Sequence, residues 1–352
     1  MLMIDRQTDS PDHEEVKPGK EENFVFQKGA DMEFKKVVIL GGGVLGAQIG
    51  LMSAYTGHET TLWMRSEGTI GRTQPRLEKY SKQMIESLAR AKALIGNPLG
   101  AYLYPRALIK DWNKVTAEEI DNLMAMAQKN FKEKIHLELD IDKALADADI
   151  VIEAMAENPQ AKIDLYTKIK DKMDEKTILC TNSSTLLPST FAEYTGRPEK
   201  FMALHFANEI WAHNTAECMG HPGTSAETYE AVVRFAQEIQ MVPIQLHKEQ
   251  PAYVLNSLLV PLLDAAQQLW GKGVADPETI DMTWRIATGA PAGPFQIMDV
   301  VGLETVYNIG SMKPDAQDPD SLNHKILTMI KEKMDRGETG VNAGKGFYDY
   351  KK

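Results

Sequence analysis

Cysteine is scarce in this chain, whose 352 residues include only Cys180 and Cys218. So small a number excludes a disulfide framework and favours a reducing compartment, for which we expect the cytoplasm. Neither cysteine has metal-ligand spacing, and no metal site is predicted. Long apolar runs are also missing, because no stretch approaches the roughly 20 residues that a membrane helix needs. We therefore expect no association with a membrane.

Positive charge is in deficit. The chain has 39 Lys and Arg against 50 Asp and Glu, which gives a net charge of −11. The chain has no excess of basic residues that could neutralise the phosphates of a nucleic acid, so nucleic acid is not expected as a partner. An anionic cofactor is not excluded, since it needs only a local site rich in hydrogen-bond donors.

The most informative stretch covers residues 36–56, KVVILGGGVLGAQIGLMSAYT. Residues 37–40 are wholly apolar, as in a strand buried on both faces of a parallel sheet. A G-x-G-x-x-G pattern follows and opens directly into a helical pattern, which is the context of a dinucleotide-binding turn. The glycines permit the tight turn, the close approach of a pyrophosphate and the close packing of helix on strand. The candidate cofactor-binding residues of this loop are Gly41, Gly43, Val44, Leu45 and Gly46.

The pattern divides the chain into three parts. Residues 1–33 are polar and aperiodic and are expected to form a mobile extension. Residues 34–248 alternate strand and helix signals, which predicts an α/β Rossmann-like NAD(P)-binding domain with a helical insertion at about 72–134. Residues 249–352 have no strand signals and are predicted to be all-helical.

Two details of this layout can be checked. A crossover helix is expected over residues 164–173, and the first helix of the insertion carries an apolar stripe that ends at Ile95. The apolar helices of the C-terminal part exceed what one small bundle would bury, which suggests a homodimer interface. The stripe of its first helix consists of Val254, Leu258, Leu262, Ala265 and Leu269.

His205 is the leading candidate for proton transfer. It closes an apolar strand over residues 201–206, and Glu217 lies on a segment able to return antiparallel beside it. A carboxylate partner fixes the histidine tautomer and stabilises the imidazolium, which suits a proton shuttle near neutral pH. Ser184 ends the preceding strand and offers a hydroxyl to a substrate carbonyl. The alternatives are a structural histidine and a serine that caps a turn.

Several stretches resemble the L-3-hydroxyacyl-CoA dehydrogenase family, most of all its bacterial diketoreductase-like branch. They are GGGVLGAQIG, ADIVIEAMAEN, TNSSTLLPS, LHFAN, AYVLNSLLVPLLDAA, TGAPAGPFQIMDVVGL and GKGFYDY. The resemblance implies that His205 is the general acid/base, that Glu217 orients it, and that the helical domain dimerises. It also implies roles for four further residues: Ser184 and Asn208 at the reacting oxygen, and Glu157 and Lys162 near the nicotinamide ribose. Asn256 matches a further polar residue at the cleft between the domains.

Two departures from the family bear on specificity. The typical HFFNPVP segment reads HFANEIW here, so that Glu209 and Trp211 are expected to border the substrate pocket and to favour short substrates. The acidic residue that NAD-selective sites carry after the second strand is replaced by Met64. Arg65 and Ser66 follow and suit the 2′-phosphate of NADP, although Glu67 could return a carboxylate to the ribose. NADP(H) is therefore favoured over NAD(H).

Taken together, the sequence predicts an NAD(P)-dependent oxidoreductase that interconverts a 3-hydroxy and a 3-oxo group, as short-chain 3-hydroxyacyl-CoA dehydrogenases do. One alternative keeps this reaction but uses a small substrate without CoA, such as a diketo ester or a sugar acid. Another is a non-catalytic NAD(P)-binding protein, since a fold does not determine a function.

Overall fold

An eight-stranded, mostly parallel sheet organises residues 36–246 in this computed structural model, which describes residues 33–351. The predicted extension over residues 1–33 lies outside the described residues, apart from Glu33. The strands are β1 (Lys36–Leu40), β2 (Glu59–Trp63), β3 (Ile135–Glu138), β4 (Ile150–Glu153), β5 (Ile178–Thr181), β6 (Phe201–Phe206), β7 (Thr215–Met219) and β8 (Val242–Leu246).

The strand order is β3-β2-β1-β4-β5-β6-β7-β8. Strands β1 to β6 are parallel, β7 runs antiparallel to β6, and β8 runs parallel to β7. The order reverses between β1 and β4, and open α/β sheets bind ligands beyond the carboxyl ends of their strands at such a point. The sheet therefore points to a crevice beside the glycine loop.

Twelve α-helices lie within the described residues. They are α1 (Val44–Tyr55), α2 (Glu67–Ala93), α3 (Gly100–Leu103), α4 (Ala117–Glu133), α5 (Ile141–Leu145), α6 (Pro159–Ile169), α7 (Ala226–Glu238), α8 (Leu255–Gly271), α9 (Pro277–Thr288), α10 (Pro294–Val301), α11 (Leu303–Ser311) and α12 (Leu322–Asp335). None of these helices is both long and apolar enough to cross a membrane.

The sheet is covered on both faces, which explains its apolar strands. In β1, Val37 and Ile39 pack in one hydrophobic cluster with the helices of the insertion. Val38 and Leu40 pack in a second cluster with residues of α5 and α6. The predicted Rossmann-like domain with a helical insertion is confirmed, as is the helical part that follows.

Two helix boundaries differ from the prediction. Helix α2 begins at Glu67 rather than near residue 72, because Ser66 is extended and its carbonyl accepts the first helical bonds. The crossover helix α6 spans Pro159–Ile169 rather than 164–173, since the Asn158 side chain caps its first turn and a proline occupies its first position.

Two predicted apolar stripes are only partly buried. Ile95 lies beyond the end of α2 and is 39% exposed. Helix α8 buries Leu263 and Ala266 in the helical part, whereas its predicted stripe faces outward and leaves Leu258 71% exposed. Periodicity identifies the faces of a helix but not which face meets the core.

Candidate active site

The glycine loop joins β1 to α1 in a conformation that requires glycine. Gly41 has a φ of +115°, and a Cβ on it would lie 2.9 Å from the carbonyl oxygen of Ala154. A Cβ on Gly46 would lie 2.1 Å from the carbonyl oxygen of Gly41. Gly43 stands at the N-cap of α1, where no described side chain caps the helix. The free N–H groups there suit the pyrophosphate of a dinucleotide, so the loop fits the cofactor that its motif predicts.

Helix α2 holds the glycine loop from the side. The Arg76 guanidinium donates to the carbonyl oxygen of Gly42 at 2.7 Å, and the Thr73 hydroxyl donates to the same oxygen at 3.1 Å. Sequence reasoning missed both residues, because they lie 31 and 34 positions from Gly42 and form no local motif with the loop.

The residues after β2 face different ways. Met64 is fully buried, and its sulfur lies 3.3 Å from the Thr73 hydroxyl oxygen. Arg65, Ser66 and Glu67 are exposed, and Ser66 and Glu67 form the start of α2. Any contact of Met64 with a cofactor would therefore come from its main chain.

His205 and Glu217 face each other across the antiparallel pair of β6 and β7. The Nδ1 atom of His205 lies 2.9 Å from Oε2 of Glu217, and the two residues are 5% and 4% exposed. The other carboxylate oxygen accepts the N–H groups of Val254 and Leu255, each at 2.9 Å, where α8 begins. Burial alone would raise the pKa of Glu217, but these hydrogen bonds and the one with His205 lower it. The carboxylate is thus held charged beside the imidazole.

Ser184 lies on a loop that Glu157 organises. The Glu157 carboxylate accepts the N–H groups of Ser184 and Thr185, each at 3.0 Å, and the hydroxyl of Ser183. Burial would raise the pKa of Glu157, but the hydrogen bonds and the charge of Lys162 lower it. The Asn182 side chain on the same segment accepts the N–H of Phe206 at 3.1 Å, which joins this loop to the end of β6.

Lys162 lies deeper than its predicted role beside the nicotinamide ribose implies. Its side chain is 1% exposed, and its ammonium lies 2.7 Å from both oxygens of Glu153 and 3.5 Å from Glu157. Glu153 also accepts the hydroxyls of Tyr166 and Thr181, each at 2.8 Å. Sequence reasoning missed this fully buried carboxylate, which lies at the end of β4.

The remaining candidates differ in how far they are buried. Asn208 and Glu209 are exposed after β6, and Asn256 is half-buried in the first turn of α8. Trp211 is only 3% exposed and packs against Tyr80 of α2, so it belongs mainly to the hydrophobic core. A cavity of about 260 Å³ lies between α2 and this loop, lined by residues that include Gln83, Glu86, Arg90, Glu209 and Trp211.

The fold and the site define a class of protein. A glycine loop at the amino end of a helix and a histidine–carboxylate pair lie at the same edge of a parallel sheet. This arrangement is that of a nicotinamide-dependent dehydrogenase of the Rossmann type.

Comparison with known proteins specifies the family. Residues 105–250 match the 3-hydroxyacyl-CoA dehydrogenase NAD binding domain, and residues 253–350 match the C-terminal domain of the same family. The chain is 30% identical to human mitochondrial hydroxyacyl-coenzyme A dehydrogenase, with 90% of this chain and 91% of that protein covered. It is 28% identical to 3-hydroxybutyryl-CoA dehydrogenase from Clostridioides difficile, with 90% and 100% covered. The chain belongs to the 3-hydroxyacyl-CoA dehydrogenase family, which confirms the resemblance, and is an oxidoreductase acting on CH–OH groups.

Among solved structures, a diketoreductase is 43% identical, with a TM-score of 0.71 and with 91% of this chain and 100% of that chain covered. The human and clostridial proteins are less similar in sequence. The likeness therefore extends to an enzyme whose substrates are dicarbonyl compounds.

Proposed function

We propose that this chain interconverts a 3-hydroxy and a 3-oxo group on a short acyl compound of the 3-hydroxybutyryl-CoA type. The observation that carries the proposal is the buried His205–Glu217 pair, 2.9 Å apart, at the edge of the sheet where the glycine loop opens. A bound nicotinamide dinucleotide accepts or supplies the hydride in this chemistry.

The chain's own residues handle the proton and the oxygen. His205 takes the hydroxyl proton in oxidation and returns it in reduction, while Glu217 holds the ring and stabilises its positive charge. The Ser184 hydroxyl and the Asn208 amide donate to the reacting oxygen as negative charge develops on it. Asn256 and Glu209 border the substrate, and Gly41, Gly43 and Gly46 form the cradle of the pyrophosphate.

The proton-transfer proposal is tested by two substitutions. His205→Gln is expected to lower turnover by at least about 100-fold, and Glu217→Gln by about 100-fold, the range usual for acid–base assistance. Cofactor affinity, measured by fluorescence titration, is expected to stay unchanged. His136→Gln is the matched control, because His136 is exposed on the distant strand β3. A His205→Gln variant that kept about a tenth of the wild-type rate would exclude this role.

The second candidate substrate is a free dicarbonyl compound, favoured by the 43% identity to a diketoreductase. The negative charge of Glu209 disfavours a second anionic group in the cavity that it lines, and the small volume of that cavity, about 260 Å³, disfavours long chains. We expect short substrates to be preferred in either case. Comparing kcat/KM for acetoacetyl-CoA, for free diketo esters and for a long-chain 3-hydroxyacyl-CoA distinguishes the two candidates. Efficient turnover of the long-chain substrate would contradict the expectation.

For the cofactor, we propose a preference for NADP(H) over NAD(H). The buried Met64 thioether offers no carboxylate to the adenosine ribose, and the exposed Arg65 beside Ser66 suits a 2′-phosphate. Arg65→Ala is expected to lower kcat/KM for NADPH by about 10-fold or more, the scale of one charge-assisted contact, and to leave NADH unaffected. Lys82→Ala, farther along α2, is the control. A wild-type preference for NADH that Arg65→Ala does not alter would favour Glu67 as the ribose partner.

We also propose that two copies of the chain pair through the helical part. Exposed apolar side chains recur along α8 and α9, which include Leu258 (71%) and Ile286 (78%). Large exposed apolar patches mark protein interfaces in many proteins.

Reduced, buried Cys180 and Cys218 are consistent with the expected cytoplasmic location.

A further inference from the structure

Tyr253 contacts both halves of the proposed site, the His205–Glu217 pair and the loop that carries Ser184. It lies just before α8, is 1% exposed, and was not singled out by the sequence. Its ring stacks on the imidazole of His205, with a centroid distance of 4.6 Å and an angle of 15° between the planes. Its hydroxyl donates to the carbonyl oxygen of Ser183 at 2.6 Å.

The Tyr253 ring contacts a face of the His205 imidazole, whereas Glu217 contacts its edge. The Glu217 carboxylate holds one edge of the imidazole through Nδ1, and a parallel ring against one face prevents the imidazole from tilting. An aromatic face also attracts the positive charge that the imidazole gains when it takes up a proton. Both effects act through His205 rather than on the substrate.

The hydroxyl of Tyr253 acts on the other half of the site. Ser183 immediately precedes Ser184, and the hydrogen bond reaches across 70 positions of the chain. Burial raises the pKa of Tyr253 far above its ordinary value, so the phenol stays protonated and serves as a donor. The phenol therefore ties the main chain beside Ser184 to the ring that orients His205.

The backbone around Tyr253 is unusual in a way that fits a positioning role. Ala252 and Tyr253 have φ angles of +65° and +55°, a left-handed conformation that residues with a Cβ rarely adopt. Strain of this kind persists where surrounding contacts over-determine it, and it clusters at functional sites. The next two N–H groups, of Val254 and Leu255, bind Glu217. The strained segment thus contacts His205, Glu217 and the Ser184 loop at once.

We propose that Tyr253 is a positioning residue that sets the placement of His205 relative to Ser184, through its stacked ring and its hydroxyl. This inference rests on the proposed function, because it assigns His205 to proton transfer and Ser184 to the reacting oxygen. It adds a residue that touches neither the substrate nor the cofactor.

The test compares two tyrosines whose hydroxyls each donate to a main-chain carbonyl oxygen. Tyr253→Phe keeps the ring and removes the hydroxyl. Tyr55→Phe removes an equally buried hydroxyl that donates to the carbonyl oxygen of Leu108, also at 2.6 Å, at the C-terminal end of α1. Both variants are expected to lose similar stability. Only Tyr253→Phe is expected to lower kcat, by roughly 3- to 10-fold, the scale of one hydrogen bond. Cofactor affinity should not change.

A double-mutant cycle locates the effect. If the hydroxyl acts through Ser184, Tyr253→Phe should change kcat little in a Ser184→Ala background, because coupled residues are not additive. Tyr253→Leu, which also removes the stacked ring, should lower kcat roughly 3- to 10-fold further, the scale of one aromatic pair.

Four outcomes separate the possibilities. Equal kcat values for Tyr253→Phe and Tyr55→Phe would overturn the role of the hydroxyl, and equal values for Tyr253→Phe and Tyr253→Leu would overturn that of the ring. Full additivity with Ser184→Ala would overturn the link to that residue. Activity retained by both His205→Gln and Ser184→Ala would instead overturn the proposed function.

Discussion

At the scale of single residues, the buried pair of Lys162 and Glu153 supports the loop beneath the site. Both side chains are at most 1% exposed, and the ammonium bridges Glu153 to Glu157, which in turn binds the Ser184 segment. Taking two charges out of water is costly, and a pair of this kind is stable only while both partners are present. Substituting only one of the two residues is therefore expected to destabilise the folded protein.

We predict that Lys162→Met, which keeps an unbranched side chain, lowers the free energy of unfolding by about 3–5 kcal/mol, because Glu153 is left as an uncompensated buried charge. Urea denaturation at pH 7 measures this loss. Glu153→Gln/Lys162→Met, which removes both charges, is expected to be more stable than Lys162→Met. A double variant no more stable than the single one would show that charge is not the cause.

At the scale of elements, the end of α12 is tied to the C-terminal turn by one carboxylate. Glu338 binds Arg336 at 3.1 Å, Lys345 at 2.9 Å and Lys333 at 3.2 Å. The hydrogen bonds from Arg336 and Lys345 are the main reason that the pKa of Glu338 falls from 4.5 to about 2. A carboxyl group with a depressed pKa stabilises the folded state above its ordinary pKa and loses that contribution as the pH falls.

We therefore predict that Glu338→Gln destabilises the protein at neutral pH, and that its difference from the wild type shrinks as the pH falls from 4.5 to about 2. Thermal unfolding across this range measures the effect. High salt should reduce it, since the cations are partly exposed. Glu332→Gln on the same helix is the control. A difference between wild type and Glu338→Gln that does not depend on pH would contradict this explanation.

At the scale of the whole molecule, the exposed apolar faces of α8 and α9 are the surfaces through which we propose that two chains pair. Val254, just before α8, is 45% exposed and Leu258 on α8 is 71% exposed, while Met282 and Ile286 on α9 are 53% and 78% exposed. Pairs of apolar residues at i and i+4 form stripes, and a symmetric dimer buries the same stripe of each subunit.

We predict that sedimentation velocity finds twice the 39.3 kDa mass of one chain. Leu258→Glu/Ile286→Glu should shift the protein to monomers, because charge is disfavoured at the centre of an interface. Tyr102→Glu is the matched control, since Tyr102 is 75% exposed in the insertion. A wild-type monomer at micromolar concentration would refute the proposed dimer, and dissociation by Tyr102→Glu would place the interface elsewhere.

The sequence by itself determined the features that depend on near neighbours in the chain. Residues 37–40 are apolar because β1 is buried on both faces, and the glycines follow because Gly41 and Gly46 have no room for a Cβ. The return of β7 beside β6 was also predictable, because His205 and Glu217 lie 12 positions apart on short strands. Local periodicity and turn chemistry carry this information.

Only the tertiary structure decided which distant groups meet. Tyr253 reaches Ser183 across 70 positions, and Arg76 reaches Gly42 across 34, and no periodic pattern links either pair. The stripe on α8 was visible in the sequence, but its outward direction depends on how the other helices pack. Contacts of this kind arise when whole elements pack together, so their partners are set by three-dimensional geometry rather than by spacing along the chain.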